Sequence, residues 1–160
     1  MTIKVGDKVP NVDVMLGTAE GPQKTNSIDV LGKGKVALFA VPGAFTPTCS
    51  ARHLPGFVDK AGDLKAKGVD RIVCMAVNDA FVMKAWGEAQ KAFGKVDMLA
   101  DGNGDLTRAM GLELDAKGFG MGERSKRFAA VLENGVVKQL FVEAPGAFEV
   151  SSADYMLSKL

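Results

Sequence analysis

Two apolar runs dominate the pattern of the chain: Val36-Ala37-Leu38-Phe39-Ala40-Val41, and Ile72-Val73-Cys74-Met75-Ala76-Val77 following Arg71. Runs of this length without alternation are read as strands buried on both faces of a parallel sheet. Between them Phe57, Ala61 and Leu64 recur at helical spacing, which predicts a helix over 47–67 that Gly68 stops. Pro55-Gly56 should kink or interrupt that helix. After the second strand, Asn78-Asp79 offers a cap, and Val82, Ala85, Trp86, Ala89 and Phe93 predict the inward face of a helix running to Gly94. Met98-Leu99-Ala100 reads as a short third strand, with a helical turn near Leu106 to Met110. Phe128–Leu132 and Val136–Val142 flank Glu133-Asn134-Gly135, and Asn-Gly between apolar runs is a strong hairpin signal. Asn11 to Ile28 mixes short apolar stretches with Gly17 and Gly21-Pro22, as a hairpin or pair of edge strands would, and a last helix begins near Ser151 or Ser152.

This order describes an α/β chain of the thioredoxin-like fold: a central mixed sheet flanked by helices, an N-terminal hairpin, and an insertion before the C-terminal β-hairpin. No repeat or linker divides it, and 160 residues at 47% apolar content suit one domain, 1–160. With 20 Lys+Arg against 19 Asp+Glu there is no broad electrostatic argument for nucleic acid or an anionic membrane surface. The N-terminal residues lack a signal-peptide apolar core and no apolar run is long enough to span a bilayer, so a cytoplasmic location is expected. Two cysteines do not make a secreted disulfide framework, which turns attention to their reactivity.

One of them stands where a strand becomes a helix. In Pro42-Gly43-Ala44-Phe45-Thr46-Pro47-Thr48-Cys49, Thr46 reads as N-cap, Pro47 as N1 and Cys49 as N3. The sulfur then lies near unpaired N–H groups and the positive end of a helix, where negative charge is favoured. In thioredoxin-like chains this junction holds C-x-x-C, whereas here Thr46 and Cys49 occupy the two positions. A hydroxyl in place of one thiol argues against dithiol–disulfide exchange and for a thiolate that attacks something small. Ionisation alone is a modest gain. A thiol of pKa near 8.5 is about 3% thiolate at pH 7, so full ionisation is worth at most about 30-fold, or roughly 2 kcal/mol. A Brønsted slope of about 0.45, carried over from thiol–disulfide exchange, removes about tenfold of that for a fall of ~2.5 units. The site therefore needs donors for the charge that develops on a leaving oxygen.

Pro42, Thr46 and Cys49 match the P-x-x-x-T-x-x-C signature of peroxiredoxins, and Val41 to Ser50 resembles their type II, peroxiredoxin-5-like branch. His53-Leu54-Pro55-Gly56-Phe57, Val77 to Val82, Leu99-Ala100-Asp101 and Lys126-Arg127-Phe128 extend the resemblance over essentially the whole chain. It implies Cys49 as peroxidatic nucleophile, Thr46 and Arg127 as its polar partners, and Pro42 as a shield over the pocket. Hydroperoxide is the expected substrate, with Thr46, the helix N–H groups and Arg127 as donors around it. Arg124 is the rival arginine. The resemblance also implies a homodimer formed through the active-site side, and no metal, haem or flavin.

His53, the one histidine, follows Cys49 by four residues and is expected to border the pocket, the alternative being a packing residue. Two cysteines and one histidine are too few for an all-Cys/His zinc site. Gly118-Phe119-Gly120-Met121-Gly122 lacks both the spacing and the following helix of a dinucleotide loop, and reads as a flexible loop whose Phe119 walls the pocket. Gly43, Phe45 and Thr48 complete the expected pocket. Cys74 is either a buried packing thiol or, as some plant-type relatives suggest, a resolving cysteine. Without a clear resolving cysteine the expected reductant is glutathione with or without glutaredoxin, then thioredoxin. A thiol–disulfide oxidoreductase and a non-enzymatic peroxide sensor are the alternatives.

Overall fold

In the computed structural model, which describes residues 2–160, the chain opens with the hairpin β1 (Asp13–Thr18) and β2 (Gly21–Asn26). A short helix α1 (Ser27–Leu31), absent from the sequence reading, follows; the Asn26 side chain caps it by accepting from Asp29 N–H. β3 (Lys35–Val41) leads into a helical segment whose first turn starts at Pro47, widens to a π-helical turn at Cys49–His53, and continues as α2 (Leu54–Asp59) and α3 (Ala61–Ala66). The two irregularities in this segment differ from the expected kink at Pro55-Gly56. Pro55 has no N–H to give the Ala51 carbonyl, and the turn before it is widened, with Leu54 N–H reaching back to the Cys49 carbonyl. The interruption itself lies at Lys60, whose ψ of 8° leaves the helical range.

β4 (Arg71–Ala76) is followed by α4 (Ala80–Ala89), capped by Asp79 through Val82 N–H as expected. Its buried face is Ala80, Met83, Trp86 and Gly87. Ala85 and Ala89 point outward and Val82 is half-buried, so the predicted stripe is rotated. Gly87 hid the true face: an added Cβ would come within 2.9 Å of the Phe93 ring, and the bare backbone is what lets that ring pack. β5 (Asp97–Ala100), α5 (Asp105–Ala109) and a small hairpin of β6 (Glu113–Asp115) with β7 (Glu123–Ser125) form the insertion. β8 (Phe128–Glu133) and β9 (Val136–Val142) make the predicted hairpin, with Asn134 and Gly135 at positive φ in its turn. α6 (Ala153–Lys159) closes the chain with Ser152 as N-cap.

The seven-stranded sheet has the order β2-β1-β5-β4-β3-β8-β9. Its central strands β3 and β4 are buried on both faces, with Phe39, Cys74 and Trp86 in one apolar layer and Leu38, Val73 and Phe128 in the other. No helix among the described residues is long and apolar enough to cross a membrane. The site follows from strand direction. β3, β4 and β5 run parallel and β8 runs antiparallel to β3, with Ala40 opposite Phe128. The ends of β3 and β4 and the start of β8 therefore meet at one edge, which brings the loop 42–48, Asn78 and Arg127 together.

Candidate active site

Cys49 is fully buried at the start of the helical segment. Ser50 N–H is bonded to the Thr46 carbonyl at 2.9 Å, so Thr48 and Cys49 precede the first intrahelical bond, as the N-cap reading requires. The Thr46 hydroxyl donates to the Gly43 carbonyl at 2.7 Å. That corrects its expected role as a donor, because its single hydrogen is already placed and the oxygen is left as an acceptor. Ala44 N–H donates to Asn78 Oδ1 at 2.9 Å, pinning this loop to the end of β4. The pin matters because Phe45 has a φ of 63°, a strained conformation for an aromatic residue that the surroundings must hold. Trp86 Nε1–H donates to Ser50 Oγ at 3.0 Å and fixes the first helical turn from the other side.

Arg127 is the centre of the arrangement. Its Nη2 donates to Cys49 Sγ at 3.1 Å, and its Nη1 donates to His53 Nδ1 at 2.8 Å. A guanidinium only donates, so Nδ1 carries no proton; Nε2 carries it and donates to the Ser151 carbonyl at 2.9 Å. His53 is fully buried, among the rings of Phe39, Phe57 and Phe148. It does not border the pocket, and it holds Arg127 from behind. Burial first, and then the charge of Arg127, push the imidazole down to about 3, with the Ser151 bond opposing. A neutral imidazole accepts from the guanidinium without cancelling its charge.

A cleft of about 440 Å³ adjoins Arg127. Pro42, Thr48, Phe119 and Arg127 line it, together with Leu114 and Pro145. Of the expected pocket residues, Gly43, Phe45 and His53 do not line it. Gly43 is buried, and a Cβ there would come within 3.1 Å of Arg124 Nη1. Arg124, the rival arginine, reaches the Pro42 carbonyl at 3.5 Å and the Met121 carbonyl at 2.9 Å, and so braces the loop. A larger cleft, about 690 Å³, sits between the N-terminal hairpin and the start of α4 and holds neither cysteine.

Cys74 is fully buried in β4, paired with Phe39 and Met98, in the same apolar layer as Cys49. Burial raises its pKa well above the ordinary thiol value, charge on Cys49 adds to that, and Arg127 opposes it. Both cysteines are free thiols. Reading along the chain missed Asn78 as a loop anchor, because it was taken as part of a helix cap; it took Ser151 only as a candidate helix start, and missed Glu143.

A family model described as Redoxin matches residues 4–157. Peroxiredoxin-2B of Arabidopsis thaliana is 50% identical over 159 residues, which cover 99% of this chain and 98% of that protein. The chain belongs to the peroxiredoxin family. The chloroplastic peroxiredoxin-2E-2 of Oryza sativa subsp. japonica is 53% identical over 165 residues, 99% of this chain and 73% of that protein. Among solved structures, reduced Prx3 of Vibrio vulnificus in complex with hydrogen peroxide is similar at a TM-score of 0.93 and 52% identity, covering 99% of both chains. As a peroxiredoxin the protein is a thiol-dependent peroxidase with an antioxidant function, acting on peroxide and drawing on a thiol reductant.

The neutral His53 has a consequence for stability. Between its ordinary value of 6.5 and the folded value of about 3, the unfolded chain binds one proton that the folded protein excludes. Stability therefore rises with pH through that window and is lost on acidification. From about pH 7 to about pH 5 the urea unfolding free energy should fall by about 2 kcal/mol for this one proton. That range lies above 4.5, the ordinary value of the Glu143 carboxyl, which titrates lower when folded. His53→Gln should flatten the dependence, and equal slopes for the two proteins would assign the proton elsewhere.

Proposed function

We propose that Cys49 is the peroxidatic nucleophile, with Arg127 as its main donor and Thr46 as acceptor for the hydroperoxide O–H. The thiolate attacks one peroxide oxygen, the S–O bond forms, and the O–O bond breaks with its electron pair on the departing oxygen. That oxygen takes a proton and leaves as water or alcohol. Sulfur is oxidised by two electrons to sulfenic acid and the peroxide is reduced by two. One observation carries the reading: Arg127 donates to Cys49 Sγ at 3.1 Å and also lines the cleft. A guanidinium has five N–H donors, and its bonds to sulfur and to His53 use two of them. Three remain for oxygens that approach from the cleft.

Recycling by an external thiol fits the burial of Cys74, whose raised pKa keeps it a neutral and weakly nucleophilic thiol. Glutathione, alone or with glutaredoxin, is the preferred reductant and thioredoxin the second. A first glutathione converts the sulfenic acid to a mixed disulfide and water; a second releases the Cys49 thiolate and oxidised glutathione. A homodimer through the active-site edge is supported by Phe45 and Phe81, which follow β3 and β4 at that edge and are 56% and 71% exposed.

Removal of the guanidinium should cost far more than a change in ionisation. Arg127→Ala should lower the second-order rate with hydrogen peroxide by about 100- to 1,000-fold, read by stopped-flow fluorescence of Trp86, the one tryptophan. An unchanged rate would sink the assignment. Intact mass after one equivalent of peroxide should rise by one oxygen in both the wild type and Cys74→Ser; loss of two hydrogens in the wild type alone would make Cys74 the resolving cysteine. Sedimentation of the reduced protein should give twice the 16.8 kDa chain mass, and a monomer at micromolar concentration would refute the dimer.

A further inference from the structure

One residue grips Arg127 from two directions. Glu143 follows β9, and its backbone N–H donates to the Arg127 carbonyl at 3.0 Å. Its carboxylate Oε2 accepts from the N–H groups of Glu149, Val150 and Ser151, each at 2.8 Å, and from Ser151 Oγ at 2.7 Å. Four donors on one carboxylate oxygen fold residues 143–151 into a closed loop. Burial works against the charge, but the Ser151 hydroxyl and the three N–H groups hold the carboxyl below its ordinary value.

The loop delivers two groups to the site. Its Ser151 carbonyl accepts from His53 Nε2–H, and its Phe148 ring lies 5.0 Å from the His53 ring and 5.8 Å from the Arg127 guanidinium carbon. The hydrogen bonds close a ring: Arg127 carbonyl to Glu143, Glu143 carboxylate to Ser151, Ser151 carbonyl to His53, and His53 Nδ1 to Arg127 Nη1. The one donor outside that ring that Arg127 gives to protein is the bond to Cys49 Sγ among the described residues.

We propose that Glu143 is a positioning residue for peroxide reduction, setting the His53 tautomer and through it the aim of Arg127 at Cys49. The proposal rests on Cys49 and Arg127 acting as described above. Its logic is one of donors and acceptors. If the loop loosens, the Ser151 carbonyl no longer holds the proton on Nε2, and the imidazole is free to carry it on Nδ1. An Nδ1–H would then face the Arg127 Nη1–H, donor against donor, and the guanidinium would turn away from sulfur. Glu143 lines the cleft beside Arg127, but its carboxylate Oε2 is occupied by four donors of its own loop.

Because the chain has one histidine, the ring nitrogens of the ¹⁵N-labelled protein report this tautomer without ambiguity. In the reduced wild type a single Nε2–H tautomer is expected. Glu143→Ala should mix the tautomers and lower the hydrogen peroxide rate by about 10- to 100-fold, the scale of a misaimed group away from the chemistry. Alkylation of Cys49 by iodoacetamide, which needs no donor for a peroxide oxygen, should fall much less. Glu143→Gln keeps an oxygen acceptor of the same length and should recover most of the rate, with a minor Nδ1–H signal. A Glu143→Ala rate within about twofold of the wild type, or a lost rate with the tautomer intact, would overturn the proposal. Should Glu143→Ala not fold, Glu143→Gln decides: a second tautomer with a reduced rate supports the proposal, and wild-type values of both overturn it. Arg127→Ala at the wild-type rate would instead refute the underlying reading of the site.

Discussion

Arg127 is the only cation that the structure sets directly against Cys49 among the described residues, and every neighbouring element contributes to keeping it there. β8 delivers its backbone beside β3, and His53 receives its Nη1 hydrogen. Phe148 covers the guanidinium, and the end of β9 ties its carbonyl. An arginine left mobile at a strand start would lose most of its electrostatic effect to water and to side-chain entropy. Here the long side chain is half-buried and anchored at two nitrogens, so the field it exerts on sulfur is directional and does not have to be organised during the reaction.

The choice of a neutral partner is the second half of that constraint. A carboxylate behind Arg127 would bind it more tightly and pull its charge away from sulfur. The buried carboxylate of Glu143, whose N–H is bonded to the Arg127 carbonyl, is instead saturated by backbone N–H groups and a hydroxyl of its own loop. His53 costs stability in acid, since burial keeps it from protonating, but it leaves the full positive charge of the guanidinium facing the thiol. The surrounding aromatic rings supply the low-dielectric wall that makes both effects large.

Legibility along the chain tracks how local each signal is. The strands β3 and β4, the Asn-Gly hairpin, and the helix start at Pro47 were readable because each rests on a few adjacent residues, and Cys49 inherited its place from them. Arg127 was not readable that way. It meets Cys49 through an antiparallel pairing across the sheet, and only resemblance to a family raised it above Arg124. His53 was misplaced for another reason: the spacing of four does bring it beside Cys49, both side chains meeting Arg127, but spacing cannot show that its two ring nitrogens are spent on Arg127 and the Ser151 carbonyl and that it does not line the cleft. Glu143 and Ser151 left no trace in periodicity, since a carboxylate folding its own loop onto itself has no repeat to detect.

The position of Arg127 also answers the arithmetic of thiolate chemistry. A donor that only stabilised the anion would give back in nucleophilicity about tenfold of a gain of at most about 30-fold, leaving an acceleration of only about threefold. What accelerates the step is stabilisation that grows as the reaction proceeds. As the S–O bond forms, negative charge leaves sulfur and appears on the departing oxygen. Arg127 touches the sulfur and lines the cleft, so in the mechanism proposed above its further N–H groups meet the charge where it ends. In that mechanism the bond to sulfur weakens as those to oxygen strengthen, and a guanidinium anchored by His53 can make the exchange without moving.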